Sequence, residues 1–160
     1  MRQIKNERHT EATITISNMA RVKIHFPDQS PLFSTKIPLR ITDMNYGNHL
    51  GNDRLLAIAQ EARVQWLQSI GCTELNIGGC GLIMADAMIS YKNEGHYGDV
   101  LNIDVFSADI TPLSFDLLFR VSTKRADQTL LIAEIKTGMV GFDYSGKKAA
   151  ALPEAFKKQL

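Results

Sequence analysis

A single long helix-period segment, followed by four strand-period segments, constrains this chain more than any other feature. Leu55, Leu56, Ala59, Ala62, Trp66, Leu67 and Ile70 recur at spacings of three and four, which predicts an amphipathic helix of about 18 residues, roughly 27 Å long. Asn52 or Asp53 can cap its start, and Gly71 stands where a C-terminal stop belongs. Residues 82–91, 100–110, 114–123 and 130–143 then read as strands. Leu101, Ile103 and Val105 alternate with Asn102 and Asp104. Phe115, Leu117, Phe119 and Val121 alternate with Asp116, Leu118, Arg120 and Ser122. The links between these strands are short and rich in turn residues, so neighbours pair antiparallel. One long helix beside an antiparallel sheet is an α+β architecture.

Upstream, residues 12–16 and 21–26 alternate apolar and polar side chains and read as short strands, and residues 1–11 as a frayed polar end. Residues 33–41 read as a further strand, which Pro38 confines to a sheet edge or a bulge. A short helix is expected from Pro153, a residue suited to a first helical position. With no repeat, linker or low-complexity tract, the 160 residues fit one domain, residues 1–30 forming an N-terminal extension.

Composition narrows the function classes. Apolar residues make up 44% of the chain, enough for a real core, and the net charge is +1, which favours neither nucleic acid nor another highly charged partner. The first ten residues lack the apolar stretch of a signal peptide, and no apolar run approaches the roughly 20 residues of a membrane span. A cytoplasmic protein without membrane partners is expected. Cys72 and Cys80 match no zinc or redox spacing and fit a reducing compartment as ordinary half-buried residues.

The chemistry-bearing residues concentrate just ahead of the long helix. Residues 42–52 place Asp43, Asn45, Asn48, His49 and Asn52 within eleven positions. They end at a helix N-terminus, where free N–H groups and the dipole favour developing negative charge. The amides of Gly51, Asn52 and Asp53 could form an oxyanion site for a substrate carbonyl. Asp43, Asn45 and His49 could hold and activate a water, since imidazole exchanges protons near neutral pH. Glu61 is a possible accessory carboxylate two and a half turns into the helix. Arg63 reads as a structural ion-pair partner; Tyr46, Trp66, Met84, Met88 and Met139 read as packing residues. The lysines 147, 148, 157 and 158 form a surface cluster whose sharper reading is a contact to phosphate groups.

The ordered set Asp43, Asn45, His49 and Asn52, then Glu61-Ala62-Arg63, then Tyr97-Gly98-Asp99 and Phe142-Asp143 resembles the signature of the 4-hydroxybenzoyl-CoA thioesterase family and its acyl-CoA thioesterase relatives. Their pattern runs Asp-x-Asp-x-x-Gly-His-x-Asn-Asn before a helix carrying Glu-x-Arg, and the likeness spans roughly residues 33–156. The resemblance implies a hotdog fold, a curved antiparallel sheet wrapped around one long central helix. It also implies hydrolysis of a fatty or aryl acyl-CoA thioester and assembly as a homodimer or homotetramer with sites at the dimer interface. It implies no metal and no bound cofactor, coenzyme A being part of the substrate. The second carboxylate of the pattern, which many members use as base or nucleophile, is Asn45 here, and Gly51 replaces the first of the two Asn positions. An amide cannot usefully accept a proton at neutral pH. Either the base has moved to Asp43, His49 or Glu61 with Asn45 orienting the water, or the protein binds acyl-CoA and hydrolyses it slowly or not at all. A hotdog hydratase or dehydratase of enoyl thioesters ranks lower, because His49 falls one residue late for its Asp-x-Asn-x-x-His loop and Tyr46 replaces its usual Pro.

Overall fold

The computed structural model describes residues 22–160, so the strand expected at 12–16 and the polar end lie outside the described residues. The elements run β1 (Phe33–Pro38), α1 (Asn52–Ser69), β2 (Gly81–Tyr91), β3 (Val100–Ala108), β4 (Ser114–Arg125), β5 (Gln128–Asp143), β6 (Lys148–Ala149) and α2 (Glu154–Lys157). The sheet order is β1-β3-β4-β5-β2, every pair antiparallel, with β6 added to the end of β5. β1 and β2 are its lateral edges. Pro38 closes β1 opposite Val100, on the edge where a missing N–H is tolerated.

The helix forms where its pattern placed it. Its end is a Schellman motif: the Gly71 N–H bonds to the Gln68 carbonyl at 3.0 Å and the Cys72 N–H to the Leu67 carbonyl at 2.8 Å. Gly71 takes φ +73°, a left-handed conformation that glycine adopts at little cost. Its start differs from expectation. The cap position is Gly51, which has no side chain to offer; Asn52 is the first helical residue and Asp53 lies within the first turn.

The buried face of α1 carries Leu55, Ile58, Ala59, Ala62, Trp66 and Leu67 against Leu101, Ile103, Val105, Leu117, Phe119, Val121 and Ile135 of the sheet. Leu56, assigned to that face from spacing, is half-buried, and Ile58 takes the inward place. Trp66 packs on Phe156 of α2, ring centroids 5.9 Å apart, and Phe156 packs on Phe115 at 5.6 Å. The C-terminal turn thus plugs the open end of the helix–sheet layer.

The opposite face of the sheet is less polar than its alternation suggested. Phe106 and Leu118 pair across β3 and β4 and are both buried. Phe26 lies edge-on to Phe106 at 5.3 Å, with the Arg120 guanidinium 4.5 Å from the Phe26 ring centre, a cation–π contact. The described part of the 21–26 segment is therefore irregular chain covering the sheet, and not the strand expected there. Tyr46, Met84 and Met88, expected in packing roles, are exposed: Tyr46 at a loop tip and the two methionines on the β2 edge.

Candidate active site

Residues 39–51 pass from β1 to the first turn of α1 and hold the polar motif. Arg40 N–H donates to Asp43 Oδ2 at 2.8 Å, and the Arg40 guanidinium reaches the same carboxylate at 3.3 and 3.4 Å. Asp43 is only 4% exposed. Burial pushes its pKa up, but the Arg40 backbone and side-chain bonds, with the charges of Arg40 and Arg54, more than offset this, and the net shift is downward. Its carbonyl accepts the Gly51 N–H at 2.9 Å. Asp43 is thus tied to the turn it closes and is a weak proton acceptor.

Asn45 organises the next turn. Its Oδ1 accepts the Gly47 N–H at 2.8 Å, its own N–H bonds to the His49 carbonyl at 2.9 Å, and its Nδ2 lies 3.3 Å from His49 Nδ1. Asn48 takes φ +63°, which asparagine tolerates better than most residues. Met44 and Leu50 form an isolated bridge below it. A Cβ on Gly47 would meet His49 Nε2 at 2.8 Å, so the imidazole lies folded over this small residue. With Asn45 Oδ1 engaged by Gly47, Nδ2 is the group that faces His49 Nδ1 and can donate to it.

The start of α1 completes the site. Gly51 donates its N–H to Asp43 and is no longer free to bind a substrate oxygen, whereas the Asn52 and Asp53 N–H groups have no acceptor among the described residues. A Cβ on Gly51 would lie 2.8 Å from Asp53 Oδ1, so the glycine lets the Asp53 side chain fold back over the helix start.

These residues face two clefts, not one. The first, about 230 Å³, is lined by His49, Leu50, Asn52 and Leu55 from the motif and helix, and by Tyr91, Lys92, Asn93, Glu94, Gly95 and Ile132 from the sheet end. The Tyr91 hydroxyl donates to the Asn52 carbonyl at 3.2 Å and closes one side of it. The second, about 410 Å³, is lined by Lys36, Arg40, Asp43, Arg54, Ile58 and Glu61 among others. The structure therefore brings His49 together with Asn52, and Asp43 together with Glu61, and separates the two pairs. Glu61 bonds to Gln65 at 2.7 Å. Arg63 is buried and pairs with Glu74 at 2.6 Å, the structural role expected of it. Tyr91, Lys92 and Glu94 were missed because their separation from the motif in sequence hides that β2 ends beside the helix start.

A model of the thioesterase-like superfamily matches residues 39–160, well over half of the chain. The chain belongs to the thioesterase-like superfamily. A search of curated proteins found no match. Among solved structures, this superfamily member is similar to a candidate thioesterase from Pseudomonas aeruginosa at TM-score 0.72 and 19% identity, covering 81% of this chain and 98% of that one. It is similar to a 1,4-dihydroxy-2-naphthoyl-CoA thioesterase from Synechocystis at TM-score 0.70 and 22% identity, covering 79% and 93%. It is also similar to a mutant 4-hydroxybenzoyl-CoA thioesterase complexed with 4-hydroxybenzoyl-CoA, at TM-score 0.73 and 16% identity, covering 79% and 96%. At such identities the likeness shows the hotdog fold, as the long helix and antiparallel sheet describe it. No helix among the described residues is long and apolar enough to cross a membrane.

Proposed function

We propose that this superfamily member hydrolyses an acyl-CoA thioester at the cleft between the start of α1 and the end of β2. The observation that carries the reading is the uncapped first turn of α1, whose Asn52, its N–H without an acceptor among the described residues, lines the same cleft as His49. A thioester carbonyl polarised there develops its negative charge against the Asn52 amide and the helix dipole. His49 accepts a proton from the attacking water at Nδ1, the ring nitrogen that Asn45 Nδ2 faces at 3.3 Å; the water oxygen bonds to the carbonyl carbon, the carbon–sulfur bond breaks, and the coenzyme A thiolate leaves with the proton returned from His49. Asp43 is the weaker base candidate because Arg40 already holds its carboxylate; Asn45 sets the His49 ring. Neither a metal nor a cofactor enters this scheme.

The same loop favours a second reading, a protein that binds acyl-CoA without turnover. Asn45 stands where the motif's second carboxylate belongs and is engaged in its own turn. The edge of β2, which pairs with no strand but β5 among the described residues and is exposed from Met84 to Met88, supports assembly as a homodimer or homotetramer. A cytoplasmic location fits both readings. A free-thiol assay with short, medium, long-chain and aryl acyl-CoAs separates them. Thiol release that drops by about 10²-fold or more in His49→Ala and far less in Asp43→Ala supports the hydrolytic scheme; saturable binding with no thiol release supports the carrier.

A further inference from the structure

The segment 93–99, between β2 and β3, touches the candidate site from behind as well as lining it. Asn93, Glu94 and Gly95 form one wall of the His49 cleft. The Gly95 carbonyl accepts the Leu50 N–H at 2.8 Å, and the Asp99 carbonyl accepts the Leu39 N–H at 2.9 Å. A Cβ on Gly95 would come within 3.1 Å of both the Leu39 and Leu50 side chains, so the loop backbone lies directly against them. Leu50 sits between His49 and the helix cap Gly51. Residue 95 is therefore bonded to the residue that joins the imidazole to the helix start.

This loop is held by a residue from another hairpin. Arg125, the last residue of β4, grips Asp99 with Nε at 3.2 Å and Nη2 at 2.5 Å, and the same Nη2 donates to the Glu94 carbonyl at 2.7 Å. Asp99 Oδ2 also accepts the His96 N–H at 2.8 Å. One guanidinium–carboxylate pair therefore fixes residues 94, 96 and 99 at once, with the planar fork that only arginine supplies. The Arg125 hydrogen bond holds the Asp99 carboxyl below the ordinary carboxylate range. Neither Arg125 nor Asp99 lines the His49 cleft.

We propose that Arg125 and Asp99 are positioning residues for this cleft, setting the place of Leu50, and through it of His49 and the first turn of α1, by way of the 93–99 loop. The catalytic consequence rests on the thioesterase reading above; the positional one does not. Amide hydrogen exchange is read at Leu50 and, in the same sample, at Phe119 in the core. In Arg125→Gln, Leu50 exchange rises at least about tenfold relative to Phe119. Arg125→Lys keeps the charge without the fork and leaves that defect in place. With an acyl-CoA that the wild type turns over, kcat falls roughly tenfold in both variants while KM stays within about twofold. Arg120→Gln, which removes a guanidinium from the far face of the same strand, changes neither quantity. Should Arg125→Gln fail to fold, Asp99→Asn carries the same test. Equal acceleration at Leu50 and Phe119, rescue by Arg125→Lys, or an unchanged kcat beside a loosened Leu50 overturns the proposal. A wild type without turnover removes the thioesterase reading, and the Leu50 exchange still decides the positioning.

Discussion

Replacing Thr137 by Val should stabilise the protein. Thr137 lies on the helix-facing side of β5, between Ala87 and Leu117 in register. Its side chain is fully buried, and its hydroxyl has no hydrogen-bond partner among the described residues. A buried hydroxyl without a partner costs about 1–3 kcal/mol in proteins. Valine is close in shape, fits a strand at least as well and removes the polar atom. A gain of about 1–2 kcal/mol follows, which raises Tm by roughly 2–8 °C in a protein of this size. The control is Thr123→Val, at an equally buried position on β4, whose hydroxyl donates to the Val100 carbonyl at 3.1 Å. There the same substitution removes a made bond and costs about 1 kcal/mol. Urea unfolding of the two variants, with m-values unchanged, gives both signs in one experiment. A loss in both, of similar size, would show that the Thr137 hydroxyl is satisfied and the reasoning wrong.

Three further outcomes follow from the same packing. Asp99 has a folded-state pKa below its ordinary 3.8, held down chiefly by Arg125, so its stabilisation is complete above that value and fades as pH falls through the lower folded one. The stability difference between wild type and Asp99→Asn should accordingly be largest above about pH 4 and vanish under stronger acid, as urea midpoints measured from pH 2.5 to 7 will show. Arg63→Ala leaves Glu74 without the cation it meets at 2.6 Å and should cost about 3–5 kcal/mol, with the Arg63→Met/Glu74→Gln double variant recovering much of it by calorimetry. Light scattering should find the 17.8 kDa chain at twice or four times that mass, and Met88→Glu, on the exposed β2 edge, should lower it; a monomeric wild type refutes the edge as an interface.

The architecture was legible because two periodicities differ sharply. The helix announced itself through spacing, a glycine stop and length, and the strands through alternation between turn residues. Misreadings fell where a side chain's partner comes from distant sequence. Leu118 alternates into a polar set, yet it is buried because Phe26 and Phe106 cover that face. The 126–127 turn carries no glycine, yet Ala126 and Asp127 both take positive φ, 45° and 64°, so that β4 and β5 continue to Arg125 and Gln128. Irregular strand pairing was likewise hidden: the register shifts between Met84 and Asp86 and between Val121 and Ser122 leave the apolar alternation without a local mark of the extra residue.

The motif behaves differently from the scaffold because identity and direction are separate facts. Spacing put Asp43 and His49 six residues apart and offered both as bases. Whether they act on one substrate depends on where the chain turns between them. Asn45 makes that turn: by accepting the Gly47 N–H and approaching His49 Nδ1, it folds the imidazole toward the β2 end, while Arg40 draws the Asp43 carboxylate to the β1 side. An aspartate at position 45 could accept the same Gly47 N–H, but it would set a negative charge against His49 Nδ1 and favour a proton there. Asparagine instead turns its Nδ2 donor to Nδ1. The departure from the motif therefore leaves Nδ1 as the accepting nitrogen, and a base function of His49 takes the water's proton there in place of the Asn45 contact.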